Sequence, residues 1–513
     1  MHSAKKILSF TLALAATLPV MLTGCGGSQS AASQAPAASS EASAAASSAA
    51  SSAAASSAPK ETVTLKIMTG DKAIQGLDRV QGAVNDYLKQ KNTGLQIAWE
   101  TYTWDDLSKK TTTMLQTGQA ADIINTSSWI APGYVQHAQK GELADLTSYV
   151  NDAQYKDVVD IIGKDFLDGT KVNGKYYGMP TNKEKAHNFG FLVQTSELKK
   201  LNIDPKSIKT MDDLAKYFDK VKADGLTPVC AAQMDNPFKL LDWDAFDADL
   251  SPFAFDPADE TKVVNPFTAD KTIAFYKEMK TWQSKGYFSP DILTSKGQET
   301  DMGTGKYFCG TWSLMPGKAL TESASLKLDL TQIDITPVEK TNRETLGALL
   351  AIPASSTHKD EAFKFISMLY TDKNLINLMT YGVEGKDYTK KSDNIITVSK
   401  DTDFTSAGGW IMGNEFNNFL TDAQSPTLFT DIEAYNKSAK ALDDLGFVYD
   451  NSKCKTEYAA CQAVVQKYYQ QLFAGKADVD STVAKMKADF KAAGEDKLLA
   501  DVQSQYDAWK KSK

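Results

Sequence analysis

The chain has 513 residues, with 56 Lys+Arg against 64 Asp+Glu for a formal net charge of −8, and it is 42% hydrophobic with 10% aromatics, which is globular composition. Only Lys5, Lys6, Glu41 and Lys60 are charged before residue 61, so the remainder is more acidic still and lacks the basic stripe that a duplex or an anionic membrane surface requires. That remainder exceeds a single core, which stops growing near ~250 to 300 residues, so at least two lobes with a cleft between them are expected.

Lys5 and Lys6 precede an apolar run, Ile7 to Val20, followed by Leu22-Thr23-Gly24-Cys25. This is the pattern of a signal peptide over residues 1–24, too short to span a bilayer, and the Cys directly after Leu-Thr-Gly resembles the lipobox of bacterial lipoproteins, in which the thiol is acylated. From Gly26 to Lys60, 27 of 35 residues are Ala or Ser. With no apolar face to bury, residues 25–60 read as a tether of roughly 30 Å r.m.s..

Val63, Leu65 and Ile67 then alternate with polar residues as a strand does, Leu77, Val80, Val84 and Leu88 recur at helical spacing, and Leu95 to Trp99 returns to strand: a βαβ opening. Thr103 and Asp106 cap a helix through Leu115, and Ala121 to Ile124 is a short buried strand. Asn173-Gly174 between strand formers signals a type I′ hairpin. Phe189 to Val193, Lys306 to Cys309, Leu328 to Ile335 and Leu346 to Ile352 read as further strands. After Tyr388 the pattern is largely helical, over Asp431 to Leu445, Tyr458 to Leu472, Val479 to Ala492 and Lys497 to Trp509. The class is α/β with a helical C-terminal region, and largely parallel sheets place ligands at the carboxyl ends of strands.

The search for catalytic chemistry returns little. The histidines, His2, His137, His187 and His358, show no ligand spacing, and there is no H-E-x-x-H. Gly169 to Lys175 copies a phosphate loop except that Tyr176 stands where Ser/Thr must be, and the Asn-Gly hairpin explains its glycines better. Ser196-x-x-Lys199 and Ser392-Asp393-Asn394 match penicillin-recognising motifs, but no K-T-G follows. Neither a cofactor nor a metal is expected. Cys454 and Cys461 are close enough in sequence to form a bridge, the alternative being two buried thiols.

The tryptophans are more informative. Trp99, Trp282 and Trp509 sit in apolar strand or helix patterns and read as core, whereas Trp104, Trp129, Trp243, Trp312 and Trp410 fall at element ends among Asp, Asn and Glu. An indole face matches the C–H face of a pyranose, and carboxamides and carboxylates suit its hydroxyls, so these five suggest an uncharged, polyhydroxylated ligand.

The lipobox, the Ser/Ala tether, Lys171-Val-Asn-Gly-Lys-Tyr-Tyr-Gly-Met-Pro, Gly190-Phe-Leu-Val-Gln-Thr-Ser-Glu-Leu, Ala351-Ile-Pro-Ala-Ser-Ser and Tyr381-Gly-Val-Glu-Gly-Lys resemble family 1 of the extracellular solute-binding proteins of ATP-driven importers. The helical tail is similar to that of a subset whose C-terminal domain has no known function. The resemblance implies a two-lobed, periplasmic-binding-protein-like (type II) fold that hinges shut on a ligand. Lobe 1 is then 61–180 and 309–385 and lobe 2 is 181–308 and 386–513, with crossings near Pro180 to Glu184, near Cys309 to Trp312 and after Tyr381. It further implies a cleft lined by Asp71, Trp104, Thr126, Trp129, Asn182, Lys183, Glu184, Trp243, Asp244, Trp312, Trp410 and Asn414. The expected protein is a monomer, lipid-anchored through Cys25 on the extracellular face of the cell membrane, which passes a carbohydrate, an oligosaccharide, to the permease subunits of an ABC transporter. It has no nucleic-acid partner and no enzymatic step. A lipid-anchored surface glycosidase and a binding protein for a non-sugar ligand are the alternatives.

Overall fold

Val63, Leu65 and Ile67 do alternate inward as their spacing requires. In a computed structural model of the chain they belong to β1 (Val63–Gly70), which a helix over Leu77–Gln90 connects to β2 (Leu95–Tyr102). The structure describes residues 62–512 except 71–74, 120, 131–132, 233–234, 246–249, 257, 296, 405 and 407, and it leaves the Asp105 side chain undescribed. The signal peptide, Cys25, the tether and Asp71 therefore lie outside the described residues. In chain order β3 (Ile123–Thr126), β4 (Gly178–Pro180), β5 (Asn188–Gln194), β6 (Thr227–Cys230), β7 (Ala254–Asp256) and β8 (Asp259–Val264) follow, then β9 (Tyr307–Leu314), β10 (Leu330–Asp334), β11 (Glu339–Lys340) and β12 (Leu349–Ala351). β13 (Tyr388–Lys390), β14 (Ile395–Val398), β15 (Leu420–Thr421) and β16 (Lys440–Ala441) complete the set.

Two main sheets define two lobes. The first has the order β2-β1-β3-β12-β4 and the second β10-β5-β9-β6. β1 is parallel to β2 over its whole length, from Val63↔Leu95 to Gly70↔Tyr102, and parallel to β3 at Ile67↔Ile123. The expectation of largely parallel sheets holds for this half only: β12 runs antiparallel to β3 and β4, and β5 antiparallel to β9 and β10.

Each lobe has its own core. In the first, Leu65, Ile67, Val84, Ile97 and Ile123 pack against Phe363, Ile366 and Leu369 of the helix Lys359–Thr371. In the second, Phe191, Val229 and Phe308 meet Phe275 and Trp282 together with the C-terminal helices Lys455–Phe473, Val479–Ala493 and Glu495–Ser512. Each fully buried aliphatic or aromatic side chain contributes about 1.5–3 kcal/mol, so both lobes are held chiefly by these stripes. Trp99 and Trp282 are core residues as read, at 4% and 3% exposure. Asn173 and Gly174 take φ of 51° and 77° between the bridged pair Val172 and Lys175, as a type I′ turn demands.

The lobe boundaries read from the sequence need correction. Cys309 to Trp312 is not a crossing. It lies inside β9, which pairs with β5 from Asn188↔Leu314 to Val193↔Cys309 and with β6 on its other side. The return to lobe 1 comes after β10, over residues 335–348. Residues 386–412 also remain with lobe 1: Phe404, Ile411 and Met412 are in its core, and Arg79 binds Asp387 (Nη2 to Oδ1, 2.9 Å). The last crossing comes after β15, which pairs with β14 at Ile395↔Leu420 and Ile396↔Thr421, well beyond Tyr381. The helix expected over Asp431 to Leu445 is Leu428–Ser438, ending where Lys440 and Ala441 pair with β11.

Cys454 and Cys461 are free and buried. Cys454 caps the helix that carries Cys461 two turns on, about 10 Å along the axis, beyond the roughly 7 Å Cα separation that a disulfide tolerates. Trp312, expected in the cleft, is buried at 6% exposure among Leu192, Cys230, Met302, Leu314 and Leu330. Its indole folds back over Gly310, so it offers no face to a ligand. Trp312→Ala should therefore lower stability by about 3–5 kcal/mol in a denaturant melt and leave ligand affinity intact. Lost affinity with an unchanged melt would return Trp312 to the cleft.

Candidate functional site

Because β1, β2 and β3 are parallel, their carboxyl ends open on one edge of the first sheet. Trp104 follows β2 and starts the helix Trp104–Thr117, whose N-terminus Thr103 caps by accepting from Asp106 N at 3.3 Å. Trp129 follows β3 by three residues, after Ser127 Oγ has closed a turn by accepting from Ile130 N at 3.1 Å. Its indole Nε1 donates to Gly347 O at 2.7 Å, just before β12. Trp410 lies in a single 3₁₀ turn, Gly409–Ile411, which Asn125 fastens to β3 by donating through Nδ2 to Ile411 O at 3.1 Å and to Leu349 O at 3.2 Å.

The three indoles meet. Ring centroids of Trp104 and Trp129 are 4.9 Å apart at 70°, those of Trp104 and Trp410 5.7 Å at 42°, and those of Trp129 and Trp410 6.4 Å at 34°. Trp104 and Trp410 are half-buried against the lobe 1 core, and Trp129 is 37% exposed. Thr126 ends β3 behind this group and is buried. Asn125 escaped the sequence reading, since nothing in an apolar Ile-Ile-Asn-Thr strand marks one amide as a tie.

Four residues after Trp410, Asn414 lies beside the first crossing. Asn182 N donates to Gly413 O at 2.9 Å, Glu415 N to Asn182 O at 3.0 Å, and Asn182 Nδ2 to Asn414 Oδ1 at 2.8 Å, so the first crossing is tied to residues 413–415 by a short parallel bridge at the hinge. Lys183 is ion-paired with Glu184, but it is buried at 8% exposure rather than solvated. Burial alone would lower its ammonium; Glu184, Glu415 and Glu344 outweigh that and raise it. The Glu415 carboxyl is pushed up to about 8 by burial and by Glu184, with Lys183 opposing. His187 Nδ1 lies 2.9 Å from Glu344 Oε1.

Trp243 and Asp244 stand apart, on lobe 2. Trp243 donates from Nε1 to Thr272 Oγ1 at 3.0 Å, and Lys271 Nζ sits 3.7 Å from its ring centroid, so one indole face is already covered. Its ring borders a cavity of about 40 Å³ with Phe189, Phe238, Arg343 and Tyr469. Asp244 was expected to meet ligand; instead it exchanges backbone hydrogen bonds with Phe255, and its buried carboxyl faces that of Asp444. Asp244 Oδ2 and Asp444 Oδ1 have no other partner on the protein, and Asn342 Nδ2 donates to Asp444 Oδ2 at 2.9 Å. Burial raises both carboxyls, and Asp444 reaches about 6. One proton shared between two carboxyls is the arrangement these oxygens permit.

The structure thus unites Trp104, Trp129, Trp410 and Thr126 in one group and Asn182, Lys183, Glu184 and Asn414 in another. Trp243 lies on the second lobe, while Asp244 and Trp312 are structural. Among the described residues no group of His, Cys, Asp and Glu could hold a metal ion.

The folded chain keeps a proton on the Asp244–Asp444 pair that an unfolded aspartate releases near pH 4. The pair's contribution to stability therefore falls as pH rises from about 4 through the raised folded values, about 6 at Asp444 and well above the usual carboxylate range at Asp244. Asp444→Asn should flatten that fall, seen as a smaller loss of urea midpoint between acidic and neutral pH than in the parent. Equal slopes would mean that the pair holds no extra proton.

A family model described as bacterial extracellular solute-binding protein matches residues 83–406, and a domain of unknown function (DUF3502) matches residues 444–511. A carbohydrate ABC transporter substrate-binding protein of Streptococcus pneumoniae serotype 4 is 26% identical over 454 residues, 86% of this chain and 90% of that one. The polygalacturonan/rhamnogalacturonan-binding protein YtcQ of Bacillus subtilis is 24% identical over 61% of this chain and 65% of its own length. The crystal structure of an N-glycan transport solute binding protein from Streptococcus pneumoniae in complex with Man5GlcNAc superposes with a TM-score of 0.74 at 25% identity, covering 88% of this chain and 99% of that one.

Proposed function

The chain belongs to the bacterial extracellular solute-binding protein family, and on that premise we propose that it captures an uncharged oligosaccharide between its lobes and hands it, chemically unchanged, to the permease of an ABC importer. The observation that carries this reading is the contact between Trp104, Trp129 and Trp410 at the carboxyl ends of the lobe 1 strands. With centroids 4.9 to 6.4 Å apart the rings touch, leaving no room for the enclosed guest of an aromatic cage such as a quaternary ammonium. A ligand meets their outer surface instead, and a pyranose C–H face is the complement of that surface. The Lys183 ammonium is matched within the protein by Glu184, so an anionic ligand finds no free cation at that position.

The hinge at Asn182 and Asn414 supports capture by lobe closure. The pneumococcal relative is named for carbohydrate transport, and the Man5GlcNAc complex of the similar structure makes a mannose-rich glycan the first ligand to try. We read the protein as a monomer, anchored to the outer face of the membrane through Cys25.

Calorimetric titration with a glycan panel that includes Man5GlcNAc tests the binding. Replacing Trp129 by Ala should cost about 2 kcal/mol, roughly thirtyfold in affinity, with little change in Tm because the ring is 37% exposed. The reading fails if Ala at 104, 129 and 410 each leave affinity unchanged, or if no glycan raises the parent's Tm.

Anchoring has its own test. Cys25→Ala should move the protein from the detergent phase to the aqueous phase in a phase-separation assay. Continued partitioning of the variant with detergent would remove Cys25 as the acylation site.

A further inference from the structure

Gly70 ends β1 beneath the tryptophan group, and a Cβ added there would fall 1.8 Å from Cζ3 and 2.1 Å from Cε3 of Trp104. Real Cβ atoms never approach other atoms that closely, so the indole lies flush on the glycine backbone. The backbone itself does not ask for glycine: Gly70 is absent from the positive-φ positions, and its neighbour Thr69 is an ordinary strand residue. The requirement therefore comes from the ring alone. Trp104 is also the member of the group in close contact with each of the other two, at 4.9 Å from Trp129 and 5.7 Å from Trp410.

We infer that Gly70 is a positioning residue for the ligand platform: the missing side chain at the end of β1 is what lets Trp104 lie across the strand and brings Trp129 and Trp410 into one surface. Any side chain at 70 must push the Trp104 ring off the strand to restore ordinary contact, and the ring cannot retreat into the core, because it is already packed on both lobe 1 clusters. A displaced Trp104 opens the contacts with its neighbours. The platform then presents separate edges rather than one face.

This inference rests on the carbohydrate-binding reading for its functional consequence, so the experiment has an arm that needs no ligand. In the full chain labelled with 5-fluorotryptophan, Gly70→Ala should move the fluorine resonances of Trp104, Trp129 and Trp410, and leave those of Trp243, Trp282, Trp312 and Trp509 in place. Three unmoved platform resonances would overturn the inference. In the second arm, Gly70→Ala should weaken Man5GlcNAc binding by about tenfold or more, and have no further effect in a Trp104→Ala background. An equal loss in both backgrounds would overturn it, since the glycine would then act without the ring. If Gly70→Ala fails to fold, recovery of a cooperative melt in Gly70→Ala/Trp104→Ala supports the inference, and failure in both backgrounds overturns it. Should the parent bind no glycan while the three resonances move, the positioning role stands and the proposed ligand falls.

Discussion

The parallel register of β1 with β2 and β3 governs the first lobe, because strands that run together must stop together. Backbone amides in a sheet are satisfied only by neighbours in register, so Gly70 and Tyr102 are brought side by side at the end of an eight-residue ladder, with the end of β3 one strand away. Whatever follows those strands is then crowded onto one edge. Here two of the three followers are tryptophan-bearing turns, and the antiparallel β12 adds the Gly347 carbonyl that holds one of them. The aromatic surface is thus a product of strand order, with Asn125 as a buried polar tie that brings the distant Trp410 turn into it.

A different economy rules the junction between the lobes. Its segments come from three parts of the chain, and polar pairs join them beside the apolar contact of Val448: the Asn182–Asn414 amide pair, the Lys183–Glu184 ion pair, and the Asp244–Asp444 carboxyls supported by Asn342. Apolar packing between lobes would glue them; hydrogen bonds of defined direction permit rotation about the crossing while fixing its register. Glu415, buried near Lys183 and Glu184 and raised to about 8, belongs to the same set.

Much of lobe 1 was legible in the sequence, because its signals are local. The βαβ opening, the Thr103 cap, the Asn173-Gly174 turn and the placement of Trp104, Trp129 and Trp410 at element ends all follow from short spacings. What stayed hidden depends on partners far away in the chain. Gly310-Thr-Trp-Ser looks like the end of a strand, yet β5 extends it to Leu314 by pairing through Asn188. Asp244 looks like a cleft carboxylate until Asp444, two hundred residues on, is folded against it. The boundaries of the second lobe were misjudged for the same reason: no local pattern says which sheet a strand will join. The proposed role of Gly70 in seating Trp104 was not legible, because an absent side chain leaves no pattern that names its neighbour.

The buried thiols carry a consequence of their own. Cys230, Cys309, Cys454 and Cys461 are all free and enclosed, filling core volume as small apolar groups in the second lobe. A domain outside the cytoplasm often draws stability from oxidative cross-links, and its fold then depends on an electron acceptor being present when it matures. Here the described fold draws on no such couple. Its stability comes from side-chain packing and internal hydrogen bonds, with no cross-link among the described residues whose formation an electron acceptor would have to complete.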